Sequence, residues 1–247
     1  IMDSAKFISN EELLCQSLDK LDIKFIAGVP DSTLGSLSAH FDRLNGATHI
    51  IAANEGSALA LAIGNNIATK RVPLVYLQNS GIGNLLNPLT SLADGQIFSI
   101  PAILVIGWRG EIMEDGSQKL DEPQHSKQGQ ITLELLKVLG ITCYVLDKKS
   151  DISSIFSSAK ISAKESSSPV AILVRRGVFG AIKPTDNNID SVEFTRKRAI
   201  KTLLKNMEEH SVLVGTTGFA SRELFEEMGS ISSKLYNRNI RLVGGMG

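Results

Sequence analysis

The sequence predicts an α/β protein with a doubly wound parallel sheet, followed by the beginning of a second α/β domain. Strand-like and helix-like segments alternate along the chain, and the strand-like segments are continuous apolar runs. A strand that is apolar on both faces is typical of a parallel sheet covered by helices on both sides. The 247 residues are enough for one large domain or one and a half.

Local signals predict the elements of the first domain in order. Ser9 with Glu12 is typical of a capping box, which opens an amphipathic helix that runs through Leu21. The next segments are a strand at 24–29, a helix from about 32, a strand at 49–53, a helix at 55–69, a strand at 72–77, a helix from about 83, a strand at 102–106, a polar loop at 109–128, a helix through 139, a strand at 142–146, a helix at 153–168 and a strand at 170–174.

A change in composition divides the chain. Residues 176–193 contain two glycines, Pro184 and a turn-rich Thr-Asp-Asn-Asn stretch, which indicate a linker between residues 2–175 and 194–247. The last part contains, in order, a helix at 194–208, a strand at 211–215, a helix at 221–228 and a strand at 241–243. Two strands cannot bury a sheet, so we expect this part to be the beginning of an incomplete domain.

Composition excludes several classes of ligand. The 26 basic and 26 acidic residues balance, so the sequence shows no excess of positive charge that would bind nucleic acid or an anionic membrane. The longest apolar run, residues 100–108, is about half of what would span a bilayer. Cys15 and Cys143 are too few for a disulfide framework and lack the spacing of a metal site, which fits a protein of a reducing compartment. We therefore expect a soluble cytoplasmic protein with a small-molecule ligand.

Polar side chains follow the predicted strands where each strand ends. Ligands of open α/β sheets bind beyond the carboxyl ends of the strands, so these side chains are the candidates for a site. The segments are Gly28–Ser32, Ala53–Gly56, Gln78–Asn84 and Gly107–Glu111, with the loop Asp121–His125 as a fifth.

Glu55 stands between apolar residues on both sides in the sequence, which predicts that its side chain is buried. A buried carboxylate can share a proton strongly with a nitrogen base. The alternative is structural, because an acidic residue in the first turn of a helix is stabilised by the helix dipole by about 0.3–1 kcal/mol. Local sequence leaves both interpretations open.

Gln78–Asn84 combines amides, a hydroxyl and two glycines where a strand turns into a helix. Backbone N–H groups at such a turn can hold an anion, although glycines that only form a tight turn are the alternative. The segment lacks the third glycine of a dinucleotide fingerprint and the lysine of a P-loop, so neither nucleotide motif is present.

Four further residues carry two interpretations each. Arg109 could be a fork for an anionic substrate group or could lie over Trp108. His125 belongs to a loop long enough to be functional, although a lone loop histidine is more often simply solvated. Asp31 and Ser32 could serve a site or cap the following helix.

Together these segments resemble the thiamine diphosphate (ThDP)-dependent decarboxylases, and among them the enzymes that act on phosphonopyruvate and sulfopyruvate. The seven segments, in the same order, are Gly28–Ser32, Asn54–Gly56, Gln78–Asn84, Asn87–Leu89, Ser91–Asp94, Ile106–Gly110 and Asp121–Gly129. The resemblance resumes at Thr216–Leu224 and Val243–Gly247.

The resemblance implies an architecture and an activity. Residues 2–175 would form the pyrimidine-binding domain and residues 194–247 the first part of the diphosphate-binding domain, with the cofactor between two subunits of a homodimer or larger homo-oligomer. The activity would be decarboxylation of 3-phosphonopyruvate to phosphonoacetaldehyde and CO₂ with ThDP and Mg²⁺. The alternatives are sulfopyruvate as substrate, and a non-catalytic partner chain or truncated product. The Gly-Asp-Gly motif that holds Mg²⁺ in this family is missing, so no metal ligand is expected here.

The resemblance also implies residue roles. Glu55 matches the glutamate that hydrogen-bonds the aminopyrimidine ring, and Asp31 and His125 look like the residues that move protons near the thiazolium. The catalytic residues would be Glu55, Asp31 and His125, the cofactor-binding residues Pro30, Glu55, Gln78 and Asn79, and the substrate-binding residues Ser32, Ser80, Arg109 and Gln124.

Overall fold

The computed structural model describes residues 8–180, 194–208, 211–215, 219–231 and 239–241. The chain divides into two compact units, Ile1–Lys183 and Pro184–Gly247. The predicted linker residues 181–193 and the motif residues 216–218 and 243–247 lie outside the described residues.

The first unit contains six parallel strands in the spatial order β2-β1-β3-β4-β6-β5. The strands are β1 (Phe25–Gly28), β2 (Thr48–Ile51), β3 (Leu74–Gln78), β4 (Ile103–Gly107), β5 (Thr142–Leu146) and β6 (Val170–Val174). The helices are α1 (Asn10–Lys20), α2 (Leu37–Phe41), α3 (Glu55–Thr69), α4 (Ile82–Pro88), α5 (Pro123–Val138) and α6 (Ile152–Ser166). All residues of β4 and β6 are buried, which confirms the parallel sheet predicted from continuous apolar runs.

Helices cover both faces of this sheet. Leu14 of α1, Phe41 of α2 and Phe156 of α6 belong to the hydrophobic core on one face. The other face carries Leu59 of α3, Leu85 of α4 and Leu136 of α5. The doubly wound α/β class is therefore confirmed.

Several elements begin and end where the sequence predicts. The capping box forms, with the Ser9 hydroxyl accepting from the Glu12 backbone and the Glu12 carboxylate accepting from the Ser9 backbone. The helix predicted at 55–69 and the strands predicted at 142–146 and 170–174 have the bounds of α3, β5 and β6.

Two predicted boundaries are wrong by about five residues or more. The helix predicted from about residue 32 begins at Leu37, because the Asp31 carboxylate closes a turn and Gly35 takes a left-handed φ of 57°. The loop predicted at 109–128 ends earlier, because α5 begins at Pro123, a residue that favours the first position of a helix. Gln124 and His125 therefore lie in the first turn of a helix.

The connections create two crevices at the carboxyl ends of the strands. The chain leaves β1 toward α2 on one face and leaves β3 toward α4 on the other. It also leaves β4 toward α5 on one face, whereas β5 and β6 lead to α6 and to residues 178–179 on the opposite face. Such topological switch points are where open α/β sheets bind ligands.

The second unit contains α7 (Arg196–Lys205), β7 (Leu213–Gly215), α8 (Phe219–Ile231) and β8 (Asn239–Arg241). The two strands pair in parallel, and Leu204, Leu213, Leu224 and Met228 form a small core. Its assignment to a diphosphate-binding domain stays a prediction. Among the described residues of both units, no helix combines the length and the apolar character that crossing a membrane requires.

Candidate functional site

A chain of hydrogen bonds joins the ends of β1 and β3. Gln78 Nε2 donates to Asp31 Oδ1 at 2.5 Å, and the Ser80 hydroxyl donates to Gln78 Oε1 at 2.8 Å. The other carboxylate oxygen of Asp31 accepts the backbone N–H groups of Thr33 and Leu34. The Asp31 side chain is thus buried and held from two sides at the first crevice.

Gly107, at the end of β4, is required for this arrangement. A Cβ added at Gly107 would lie 2.1 Å from Asp31 Oδ2 and 3.0 Å from the Thr33 Cβ. Any larger residue would therefore displace the Asp31 carboxylate from the crevice.

Arg109 is held by a two-pronged ion pair with Asp121. Its Nε and Nη2 atoms donate to the two carboxylate oxygens at 2.8 and 2.5 Å, and Nη1 donates to the Ser32 hydroxyl at 3.1 Å. The Gly110 N–H also donates to Asp121. The hydrogen bond from Arg109 holds the pKa of Asp121 well below its usual range. Only the Nη1 end of Arg109 faces a neutral partner, so its positive charge is largely compensated.

Asn79 ties the ends of β3 and β4 together. Its amide accepts the N–H of Arg109 at 3.2 Å and donates to the carbonyl oxygen of Arg109 at 3.0 Å. The same amide group donates to the Thr132 hydroxyl of α5 at 3.0 Å. These bonds occupy the buried Asn79 side chain within the protein and fix the backbone at Arg109.

His125 lies in the first turn of α5 with 7% of its surface exposed. Its Nδ1 atom is buried and has no hydrogen-bond partner among the described residues, and the same is true of the Thr33 hydroxyl. Burial, followed by the nearby Arg109 guanidinium, lowers the pKa of His125 from its ordinary value of 6.5. The imidazole is therefore mainly neutral at pH 7 and can accept a proton.

Glu55 begins α3 and is 8% exposed. Its Oε2 atom accepts a hydrogen bond from Asn84 Nδ2 at 2.7 Å, and within the described ranges this is its one side-chain partner. Its Oε1 atom lies over the backbone of Gly81, where an added Cβ would be 2.3 Å away. Asn54, not Glu55, caps the helix by accepting the Ser57 N–H. One carboxylate oxygen of Glu55 is therefore fixed and the other is available to a ligand.

The structure brings most of the predicted site residues together. The hydrogen-bonded group contains Asp31, Ser32, Gln78, Asn79, Ser80 and Arg109. Glu55 contacts this group through the turn at 79–81. Pro30 is exposed, and the Gln124 amide donates to Glu122 at 2.6 Å instead of joining the group.

Sequence reasoning missed four residues that shape the site. Asn84 and Asp121 stand inside the quoted segments, so their position was a usable signal. Thr33 and Thr132 carry no local signal, because their importance arises from burial and from a contact between distant residues.

Comparisons with known proteins identify relatives of the chain. The family model described as "Thiamine pyrophosphate enzyme, N-terminal TPP binding domain" matches residues 9–136. Phosphonopyruvate decarboxylase of Streptomyces viridochromogenes is 29% identical over 228 residues, which are 86% of this chain and 55% of that protein. The enzyme of the same name from Streptomyces hygroscopicus is 29% identical over 235 residues, 88% of this chain and 56% of that protein. The chain thus spans about half the length of these relatives.

A third relative is shorter. Sulfopyruvate decarboxylase subunit alpha of Methanocaldococcus jannaschii is 29% identical over 157 residues, which are 64% of this chain and 88% of that subunit. These matches confirm the resemblance that the seven segments predict.

Solved structures share the fold at low identity. Benzoylformate decarboxylase from Polynucleobacter necessarius matches with a TM-score of 0.56 and 17% identity, covering 87% of this chain and 40% of that one. The ThDP-dependent 4-hydroxybenzoylformate decarboxylase of Rhodococcus jostii RHA1 matches with a TM-score of 0.55 and 18% identity, covering 87% and 41%.

Proposed function

Because the chain belongs to the thiamine pyrophosphate enzyme family through its N-terminal TPP binding domain, we propose that it forms part of a ThDP-dependent 2-oxo acid decarboxylase. The proposed reaction converts 3-phosphonopyruvate to phosphonoacetaldehyde and CO₂. The two relatives that align with most of this chain are named phosphonopyruvate decarboxylases, which supports this choice. In the proposal the cofactor lies between two copies of the chain in a homodimer or larger assembly.

The geometry of Glu55 is the observation that carries the proposal. Asn84 donates a hydrogen bond to one carboxylate oxygen, while the other oxygen lies against the backbone of Gly81. A shielded carboxylate with one available oxygen fits a heterocyclic nitrogen base such as the aminopyrimidine of ThDP. Glu55 would hydrogen-bond the pyrimidine ring and hold the shared proton. When bound, ThDP supplies an electron sink for the electrons that the departing carboxylate leaves behind.

The neighbouring side chains would handle protons and substrate. Asp31, oriented by Gln78, would hold or move a proton beside the reacting atoms. His125, mainly neutral at pH 7, would accept one. Ser32 and the Nη1 end of Arg109 would bind the anionic tail of the substrate.

Further contacts complete the proposed site. Ser80 and Gln124 would contribute substrate contacts, and Pro30, Gln78 and Asn79 would line the cofactor. Mg²⁺ would accompany the diphosphate, although the described residues contain no group of three or more His, Cys, Asp or Glu that could hold a metal ion.

Sulfopyruvate is the second candidate substrate, and the charge of the site favours it. The Arg109 guanidinium is largely compensated by Asp121. A sulfonate with one negative charge needs less positive charge than a phosphonate with two. The matched alpha subunit, 88% of which aligns with this chain, supports the same candidate.

Competition between substrates distinguishes the candidates. The purified protein is assayed for CO₂ release with ThDP, Mg²⁺ and equal concentrations of phosphonopyruvate, sulfopyruvate or pyruvate. We expect kcat/KM for phosphonopyruvate to exceed that for pyruvate at least about tenfold, because the anionic tail adds contacts that pyruvate cannot make. We also expect it to exceed the value for sulfopyruvate, because the two relatives that align with most of this chain are named for phosphonopyruvate. A higher value for sulfopyruvate would select the second candidate, and pyruvate as the best substrate would reject both. Cofactor binding without turnover of any acid would indicate a non-catalytic partner chain.

A further inference from the structure

The second crevice, at the carboxyl ends of β4, β5 and β6, contains a cavity of about 620 Å³. Three segments line it: residues from 111–119 after β4, residues 147–149 after β5 and residues 175–176 after β6. Its volume lies within the range of about 300–1,000 Å³ that is usual for small-molecule sites. The proposed decarboxylation assigns no role to this cavity.

Two ion pairs of one buried carboxylate lie at the cavity. Glu111 is 2% exposed and pairs with both Lys119, at 2.6 Å, and Arg175, at 3.2 Å. Arg175 also donates to the Ile112 carbonyl and lies 5.1 Å from the ring centroid of Trp108. These contacts join the segments that follow β4 and β6.

Three further cations line the cavity beside these ion pairs. Lys148, Lys149 and Arg176 line it, and none of them forms an ion pair within the part of the chain that the structure describes. The adjacent Asp147 carboxylate accepts hydrogen bonds from the Ser150 hydroxyl and the Lys149 backbone, and these bonds, with a smaller effect of the Lys149 charge, lower its pKa.

The backbone brings Lys148 close to the segment that carries Arg176. Gly177 has a φ of 86°, and an added Cβ there would lie 3.0 Å from Lys148 Cε and 3.2 Å from Lys148 Nζ. The Lys148 ammonium group therefore rests beside the residue that directly follows Arg176.

We infer that this cavity binds the phosphate group of a small phosphorylated metabolite, with Lys148, Lys149 and Arg176 as the anion-binding residues. Three cations from two loops can contact the several oxygens of a phosphate, whereas a ligand carboxylate has only two oxygens to offer them. The opposite loop contributes Glu114, which can accept hydrogen bonds from ligand hydroxyl groups. A nucleoside or sugar phosphate combines both features and fits the volume.

The test is calorimetric titration of the 247-residue chain with AMP, inorganic phosphate and adenosine. We expect AMP to bind more tightly than phosphate, and adenosine, which lacks the phosphate, not to bind. Trp108 is the single tryptophan of the chain and lies beneath Arg175, so its fluorescence should change with the same midpoint. Absence of AMP binding at about 10 mM, or equal binding of adenosine, would overturn the inference.

Charge-matched variants locate the site. The triple variant Lys148→Gln, Lys149→Gln, Arg176→Gln should weaken AMP binding at least about tenfold. The control variant Lys20→Gln, Lys137→Gln, Lys164→Gln removes the same charge from exposed helix positions and should leave binding within about twofold. Equal losses in both variants would mean that only the overall charge matters, which would contradict the inference.

Two further variants keep the test decisive. Arg176→Gln alone serves if the triple variant fails to fold, and it should still weaken binding by several-fold. Glu55→Gln should leave AMP binding unchanged, because that carboxylate lies at the other crevice. Loss of AMP binding in Glu55→Gln would place the phosphate at the proposed cofactor site and refute a separate one.

Discussion

Replacing Asp121 by Asn should release the loop that carries Arg109. The Asp121 carboxylate accepts two hydrogen bonds from Arg109 and one each from the Gly110 and Glu122 backbones. Asparagine keeps the shape, but it removes the negative charge and turns an N–H donor toward the guanidinium. Arg109 would then be a partly buried cation without its counter-charge.

The cost follows from how buried this pair is. The side chains of Arg109 and Asp121 are 18% and 9% exposed. Breaking a fully buried pair costs about 3–5 kcal/mol, whereas exposed pairs contribute about 0–1 kcal/mol. We therefore expect Asp121→Asn to lower the free energy of unfolding by about 2–3 kcal/mol at pH 7. The control is Asp22→Asn, whose partner Arg71 lies at 3.0 Å with both side chains more than half exposed, and which should cost less than about 1 kcal/mol.

Urea unfolding followed by Trp108 fluorescence measures both variants in the first unit. Because the folded-state pKa of Asp121 is depressed, its contribution is complete above the unfolded value of about 3.9 and is lost as the pH falls below it. The difference between the native chain and Asp121→Asn should therefore shrink between pH 5 and pH 3. A loss no greater than that of Asp22→Asn, or a difference that does not change over this range, would refute the reasoning.

Two other predictions concern the site. Gly81→Ala places a Cβ 2.3 Å from the Glu55 carboxylate and should lower kcat at least about tenfold, because it displaces that carboxylate. Gly83→Ala, whose Cβ would meet open space, should leave kcat unchanged. Equal kcat values for the two variants would contradict the contact between Gly81 and Glu55. Burial lowers the pKa of His125, so below the unfolded pKa of about 6.5 the unfolded chain binds a proton that the folded chain resists, and the stability of the fold decreases as the pH falls. Urea midpoints measured from pH 7.5 to 5.5 should fall less steeply for His125→Gln, and parallel curves would show that His125 has no such effect.

Much of the fold could be predicted because its signals are local. Continuous apolar runs predict β4, β5 and β6, and the Ser9 capping box predicts α1. The start of α5 was missed although Pro123 is a local signal, because the polar composition around it resembled a loop. The start of α2 depended on a turn that the Asp31 side chain closes, which competes with helix formation.

The sequence could predict that the site residues follow the strand ends, but it could not predict which side chains pair with each other. Parallel topology brings the residues after β1, β3 and β4 to one edge, so Asp31, Gln78 and Arg109 could be placed near each other in advance. The pairing of Arg109 with Asp121 depends on the path of a long loop. That path is set by packing between residues far apart in the sequence, which local patterns do not encode.

The most direct test of the proposed function is the effect of Glu55→Gln on CO₂ release with ThDP, Mg²⁺ and phosphonopyruvate. We expect a kcat lowered by about 10²–10⁴, with an unchanged far-UV spectrum and unfolding midpoint, because glutamine keeps the shape but cannot hold the shared proton. Glu134→Gln, at an exposed position of α5, is the matched control and should retain native kcat. A Glu55→Gln enzyme with near-native kcat would contradict the role of this carboxylate and the mechanism built on it.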